Sequence, residues 1–162
     1  MPNRAPSTIN RVADGVLEIF RKNVEDHPDK WFMIPRSWER GVGPQTIGLS
    51  DPVFCVSLNG DSRPIAQRLM GYGQSETTIT VTIFGRHSRA DYALGEMLAD
   101  LWRVVMENRQ LTGVDDPDNP TLLAGFIAIG NTKMASVSNP TLGEFTIEQE
   151  IVVNYTWSSS AP

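Results

Sequence analysis

The chain has 162 residues, 40% of them hydrophobic, and a formal net charge of −5, which suits one packed domain and excludes an unstructured tail. The acidic balance, with no cluster of five or more Lys and Arg, offers nucleic acid no basic groove. No apolar run reaches the ~20 residues of a membrane span, MPNRAPSTIN lacks a signal-peptide pattern, and Cys55 is the only cysteine, so the expectation is a soluble, cytoplasmically made protein without intrachain disulfides or multi-cysteine zinc sites.

Ile9, Val12, Ala13, Val16, Leu17, Phe20 and Val24 fall on one helical stripe. They predict a helix over 8–25, with Ser7 or Thr8 as its N-cap and Pro28 as its stop. His27 then sits exposed at the helix end. Residues 31–52 carry no sustained period but contain Trp31, Phe32, Ile34 and Trp38. They read as a long loop of the functional kind, its aromatics packed either on the domain's own flank or on a partner. Trp31, Arg36, Trp38 and Arg40 are the candidate interface residues of this loop, since tryptophan and arginine are enriched at interface centres.

VFCVSL (53–58) predicts a strand with Cys55 as a small core hydrophobe, and NGDSRP (59–64) a tight hairpin turn. IAQRLMGYG is a weaker strand. In TITVTIF (78–84), Ile79, Val81 and Ile83 alternate with Thr78, Thr80 and Thr82, the pattern of a half-buried strand. A helix is expected from Ser88, with the Ser88 oxygen and the Asp91 carboxylate serving its N-terminus. Its wide apolar face comprises Ala90, Ala93, Leu94, Met97, Leu98, Leu101, Trp102, Val105 and Met106.

After the turn-rich TGVDDPDNPT come LLAGFIAIG, a Gly/Ser/Pro loop, and EFTIEQEIVVNYTW. In that last run Phe145, Ile147, Ile151, Val153, Tyr155 and Trp157 share one face, interrupted by Gln149. At 3.3 Å per residue the run would span ~43 Å, longer than an ordinary strand. The expectation is therefore that part of it bends, bulges or pairs with another subunit, which makes Val153, Tyr155 and Trp157 candidate interface residues. The element order, without a repeated strand-helix-strand unit, predicts an α+β fold: a mainly antiparallel sheet with two helices packed on one face. One domain spans 1–162, with a long loop at 31–52 and a flexible tail at 158–162.

Chemistry-bearing motifs are sparse. His87, Ser88 and Asp91 could be written as a hydrolase triad, but adjacent residues at a helix start diverge, and capping explains Ser88 and Asp91. DDPDN (115–119) lacks the glycine and distal acid of a calcium loop, and GVG and GYGQ lack the phosphate-loop lysine and serine. No catalytic, cofactor or metal residue is assigned.

The block GQSETTITVTIFGRHSRADYALGEMLADLWRVVM, preceded by an amphipathic helix and followed by a loop and two long strands, resembles the tail terminator (tail completion) proteins of long-tailed bacteriophages. The resemblance runs directly over residues 73–157; the segment Trp31 to Pro52 departs from it. It implies a virion protein of the tail's neck end, assembled in the host cytoplasm as a homo-oligomeric, hexameric ring. That ring would bind the tail tube protein, stop tube elongation and meet the head-side connector or stopper, while DNA passes through its lumen without specific binding and no membrane is involved. Other readings are another neck component, such as a connector or stopper, or a small hydrolase.

Overall fold

The structure, a computed structural model, describes residues 7–41, 52–62, 72–109, 111–112, 122–137 and 142–158, with residues 61, 62, 72, 111, 112, 122–126 and 156–158 described by backbone alone. Helix α1 (Thr8–Asp26) is followed by a 3-10 turn (Pro28–Lys30), β1 (Ser37–Arg40), β2 (Val53–Ser62) and β3 (Tyr72–His87). Helix α2 (Ala90–Glu107), β4 (Leu111–Thr112), β5 (Leu122–Val137) and β6 (Gly143–Ser158) complete the order. The six strands form one sheet in the order β1-β2-β3-β6-β5-β4, antiparallel except for the β1–β2 pair. This is the expected α+β class.

Both helices lie on one face of the sheet because alternation and helical periodicity bury the same core. Val12, Ala13, Val16 and Phe20 of α1 and Ala93, Met97, Leu101 and Val104 of α2 are fully enclosed. They meet Phe54 and Val56 of β2, Ile79, Val81 and Ile83 of β3, and Ile147, Ile151 and Val153 of β6. The opposite face carries Thr80, Thr82, Thr146, Glu148 and Glu150 and is not covered by either helix.

β6 does not leave the domain. It pairs with β3 over its whole length, from Gly143↔His87 to Ser158↔Tyr72, and with β5 on its other side. The expectation that the run at 145–157 must bulge or find a second subunit is thereby corrected. Its neighbours are equally long, 16 residues each, so nothing overhangs. The second half of β5, NTKMASV, is mostly small or polar apart from Met134 and Val137 and lies largely exposed at the sheet's outer side, and such a segment reads as a loop.

Three further elements differ from expectation. Asn59-Gly60 makes a bulge within β2, between Leu58↔Ile79 and Gly60↔Thr78, instead of a hairpin turn; the strand simply continues to Ser62. Part of the expected loop at 31–52 is ordered as the parallel strand β1, whose Trp38 sits beside Phe54; residues 42–51 lie outside the described residues, as do 63–71, DDPDN and the tail at 159–162. Helix α2 starts at Ala90 with Arg89 in the cap position and no side-chain cap. Ser88 therefore does not cap it, because the backbone stays in a turn for two residues beyond β3.

The break in β6's apolar face has a structural reason. β5 shifts register between Ile129 and Thr132, and the fully buried Gln149 fills the irregularity. Its amide nitrogen donates to the carbonyls of Gly130 (3.1 Å), Asn131 (3.2 Å) and Glu150 (2.8 Å). Its oxygen accepts from Trp102 Nε1 of α2 (2.9 Å) and from the Thr132 hydroxyl (2.5 Å). One polar side chain thus ties helix, bulge and central strand together, as buried polar groups demand.

Candidate functional site

The turn between β3 and α2 is the first place to test for chemistry. His87 Nδ1 accepts the Arg89 amide at 3.0 Å, so that ring nitrogen is taken up by the turn's own backbone. Ser88 and Asp91 are exposed. Around this turn the Phe32 ring packs against His87 and Tyr92, with centroids 5.4 and 5.6 Å apart, and the Arg89 guanidinium lies 4.3 Å from the Tyr92 centroid. The cluster fastens the 31–34 segment to α2 and is not a nucleophile-base pair. The Phe32 amide also donates to Asp100 at 2.9 Å. Burial pushes the Asp100 carboxyl above its usual range, opposed by that bond and by Arg103.

The loop residues expected at a partner surface serve mainly this domain. Trp31 is 6% exposed, donates from Nε1 to Asn23 at 3.0 Å, and packs edge-on against Phe54. Trp38 and Phe20 approach the same ring, at 4.9 and 5.5 Å. Four aromatics thus join α1, β1, β2 and the connecting segment. Arg40 is engaged with Asp14 (2.5 Å) and with Asn10 of α1, and Arg36 is exposed, with its backbone amide on Pro52. Val153 is fully buried and Tyr155 is 2% exposed within the subunit's own core. Val153 and Tyr155 are therefore not surface residues: β6 is a central strand, paired on both sides, so its apolar face points into this domain. The Trp157 backbone pairs with Gly73, and its side chain lies outside the described residues.

Cys55 is 1% exposed, as a core hydrophobe should be. It faces Glu39 across the β1–β2 pair, Sγ to Oε2 3.8 Å. Burial, helped by that carboxylate, pushes its thiol up to about 11, which keeps it out of the reactive thiolate form. Among the described residues no group of three or more His, Cys, Asp and Glu is placed to hold a metal ion, and no helix is long and apolar enough to cross a membrane.

What the fold does present is surface. The uncovered face of the sheet forms a shallow trough of about 440 Å³, lined by Thr80, Thr82, Thr146, Glu148, Glu150 and Lys133 among others. Hydroxyls and carboxylates dominate it, without a nucleophile-base pair or a cluster of cations. At the sheet's sides, large apolar residues are exposed: Leu58 on β2 (38%), and Met134 (57%) and Val137 (66%) on β5. Sequence reasoning missed Met134 and Val137 because they stand in a stretch resembling a loop, whereas Leu58 is the last residue of the expected strand 53–58; for β5 the signal available was the alternation Ile127, Ile129, Thr132, Met134, obscured by one inserted residue at the bulge. No protein-family model matches the chain, and no curated protein matches it.

Proposed function

We propose that this chain is a structural subunit of a phage tail, a terminator that forms a ring on the tail tube, stops its elongation and provides the seat for the head-side connector. The observation that carries the reading is the distribution of surface. A three-strand body of 16-residue strands is covered by helices on one face, carries no helix on the other among the described residues, and is flanked by sides exposing Leu58, Met134 and Val137. Such a subunit works by what it packs against, and exposed strand edges carrying apolar side chains are hazards unless another chain covers them.

The bare face suits the same role. Its acidic and hydroxyl side chains offer passing DNA little to hold, in keeping with a net charge of −5. The resemblance over residues 73–157 supplies the tail assignment. The test is an elongation assay: the purified chain added to polymerising tail tube protein of the same phage should arrest tubes at a limiting length, in proportion to ends. Tubes that grow unchanged while the chain stays unbound would refute the proposal, and capture on tail-free capsids instead would assign it to the connector or stopper.

A further inference from the structure

The two sides of the sheet are each half open, at opposite ends. β1 pairs with β2 only from Val53 to Val56, and β4 pairs with β5 only at Leu122 and Ala124. Beyond these, among the described residues, no strand lies outside β2 from Ser57 to Ser62 or outside β5 from Phe126 to Val137. β2 runs antiparallel to β3, β3 to β6 and β6 to β5, so β2 and β5 run in opposite senses. When the β5 side of one copy is set beside the β2 side of the next, the meeting strands are antiparallel and able to form a regular ladder.

The side chains match in that arrangement. Leu58 stands opposite Ile79 and Met134 opposite Ile147, so the ladder register places both on the helix-covered side of the sheet, Leu58 at the edge where it also borders the trough. Leu58 is level with Ile79, Ile151 and Ile129, whereas Met134 is level with Ile147, four residues away along β6. Bringing Leu58 of one copy against Met134 of the next therefore slides the copies by ~13 Å at 3.3 Å per residue. The same slide moves each open half-edge past the short strand that covers the other half. A constant stagger between neighbours is what a sheet needs to close on itself.

We propose that β5, over Asn131–Ala135, pairs with β2, over Ser57–Asp61, of a second copy of this chain, joining the sheets edge to edge with Leu58 packed on Met134. The contact is head-to-tail, so it generates a ring when the rotation closes. It deepens the terminator reading, and rests on it only for closure into a ring; the contact itself stands on strand sense, half-open edges and the Leu58–Met134 match. In the closed form, the trough bearing Glu148 and Glu150 would face the lumen, because the helices occupy the other side of every sheet.

Disulfide trapping with the full-length chain tests this directly. Within one copy, Leu58 and Met134 are three strand spacings (~14 Å) apart across the sheet and ~13 Å apart along the strands, ~19 Å in all, too far for a disulfide. Mixing Leu58→Cys protein with Met134→Cys protein under mild oxidation should give a cross-linked dimer, whereas each variant alone should give none above the wild-type level set by buried Cys55. The double variant should give a ladder of multimers. A companion Met134→Glu variant should keep its melting temperature and lose the multimers in light scattering. Cross-linking of either variant with itself, or no mixed dimer at all, would overturn the edge contact. Mixed dimers without capture on tube ends would keep the contact and remove the tail reading; capture without mixed dimers would do the opposite.

Discussion

Replacing Gln149 by leucine should be among the most damaging changes of a single residue in this fold. Leucine is of similar length but removes one acceptor, used by Trp102 and Thr132, and the donors used by three backbone carbonyls. Trp102 is 40% exposed and Asn131 is exposed, so water recovers part of the loss there. The half-buried Gly130 and Thr132 groups are less accessible. At about 0.5–1.5 kcal/mol per net hydrogen bond and about 1–3 for a buried group left unpaired, the expected destabilisation is about 2–4 kcal/mol. Urea unfolding followed by circular dichroism measures it, with an unchanged m-value marking a change in stability and not in compactness. Gln149→Glu adds a sign test. A carboxylate there would face the same carbonyl oxygens without a proton to offer, so the folded state favours the protonated form. Stability relative to wild type should therefore fall as pH rises above about 4.3, the ordinary glutamate value. A Gln149→Leu protein within about 0.5 kcal/mol of wild type would refute the claim that this side chain secures the bulge, because that is the size of an ordinary surface substitution.

Gly85→Ala should cost about 1–3 kcal/mol by overpacking, since an added Cβ would lie 2.6 Å from Cζ of the Phe145 ring; a change in melting temperature reads this, and Phe145→Leu in the same chain should restore part of it. Ser88→Ala should be nearly neutral, within about 0.5 kcal/mol, because α2 has no side-chain cap. Cys55 should resist alkylation by iodoacetamide in native buffer near pH 8 and react once urea unfolds the chain, its thiol being held up at about 11. Burial raises the Asp100 carboxyl, so its folded form holds a proton to higher pH than the unfolded chain. Wild type should therefore lose stability relative to Asp100→Asn as pH rises through and above about 3.9, measurable by denaturant titrations on both sides of that value.

Elements with an unbroken period were legible in the chain: the stripe from Ile9 to Val24, the alternation from Thr78 to Phe84, and the α2 face all appear where periodicity put them. What failed did so for physical reasons. Asn59-Gly60 favours a tight turn locally, but β3 extends far enough for β2 to continue through a bulge. The outer half of β5 has no apolar alternation because one side is exposed and the bulge inserts a residue. Trp31 and Trp38 looked like partner anchors; three-dimensional proximity to Phe54, far away in sequence, made them core aromatics. Gln149 looked like a flaw in an apolar face and is the residue that satisfies the bulge. The exposed sides, where the function is proposed to lie, depend on which strands end a sheet, and strand order is a property of topology that local pattern does not contain.

The most direct measurement of the central claim is electron cryomicroscopy of tail tubes incubated with the purified chain. The terminator reading predicts a closed ring of identical subunits at one end of each tube, with the helices outside and the acidic sheet face toward the lumen. Tubes with bare ends, in the presence of excess chain that remains monomeric, would contradict it.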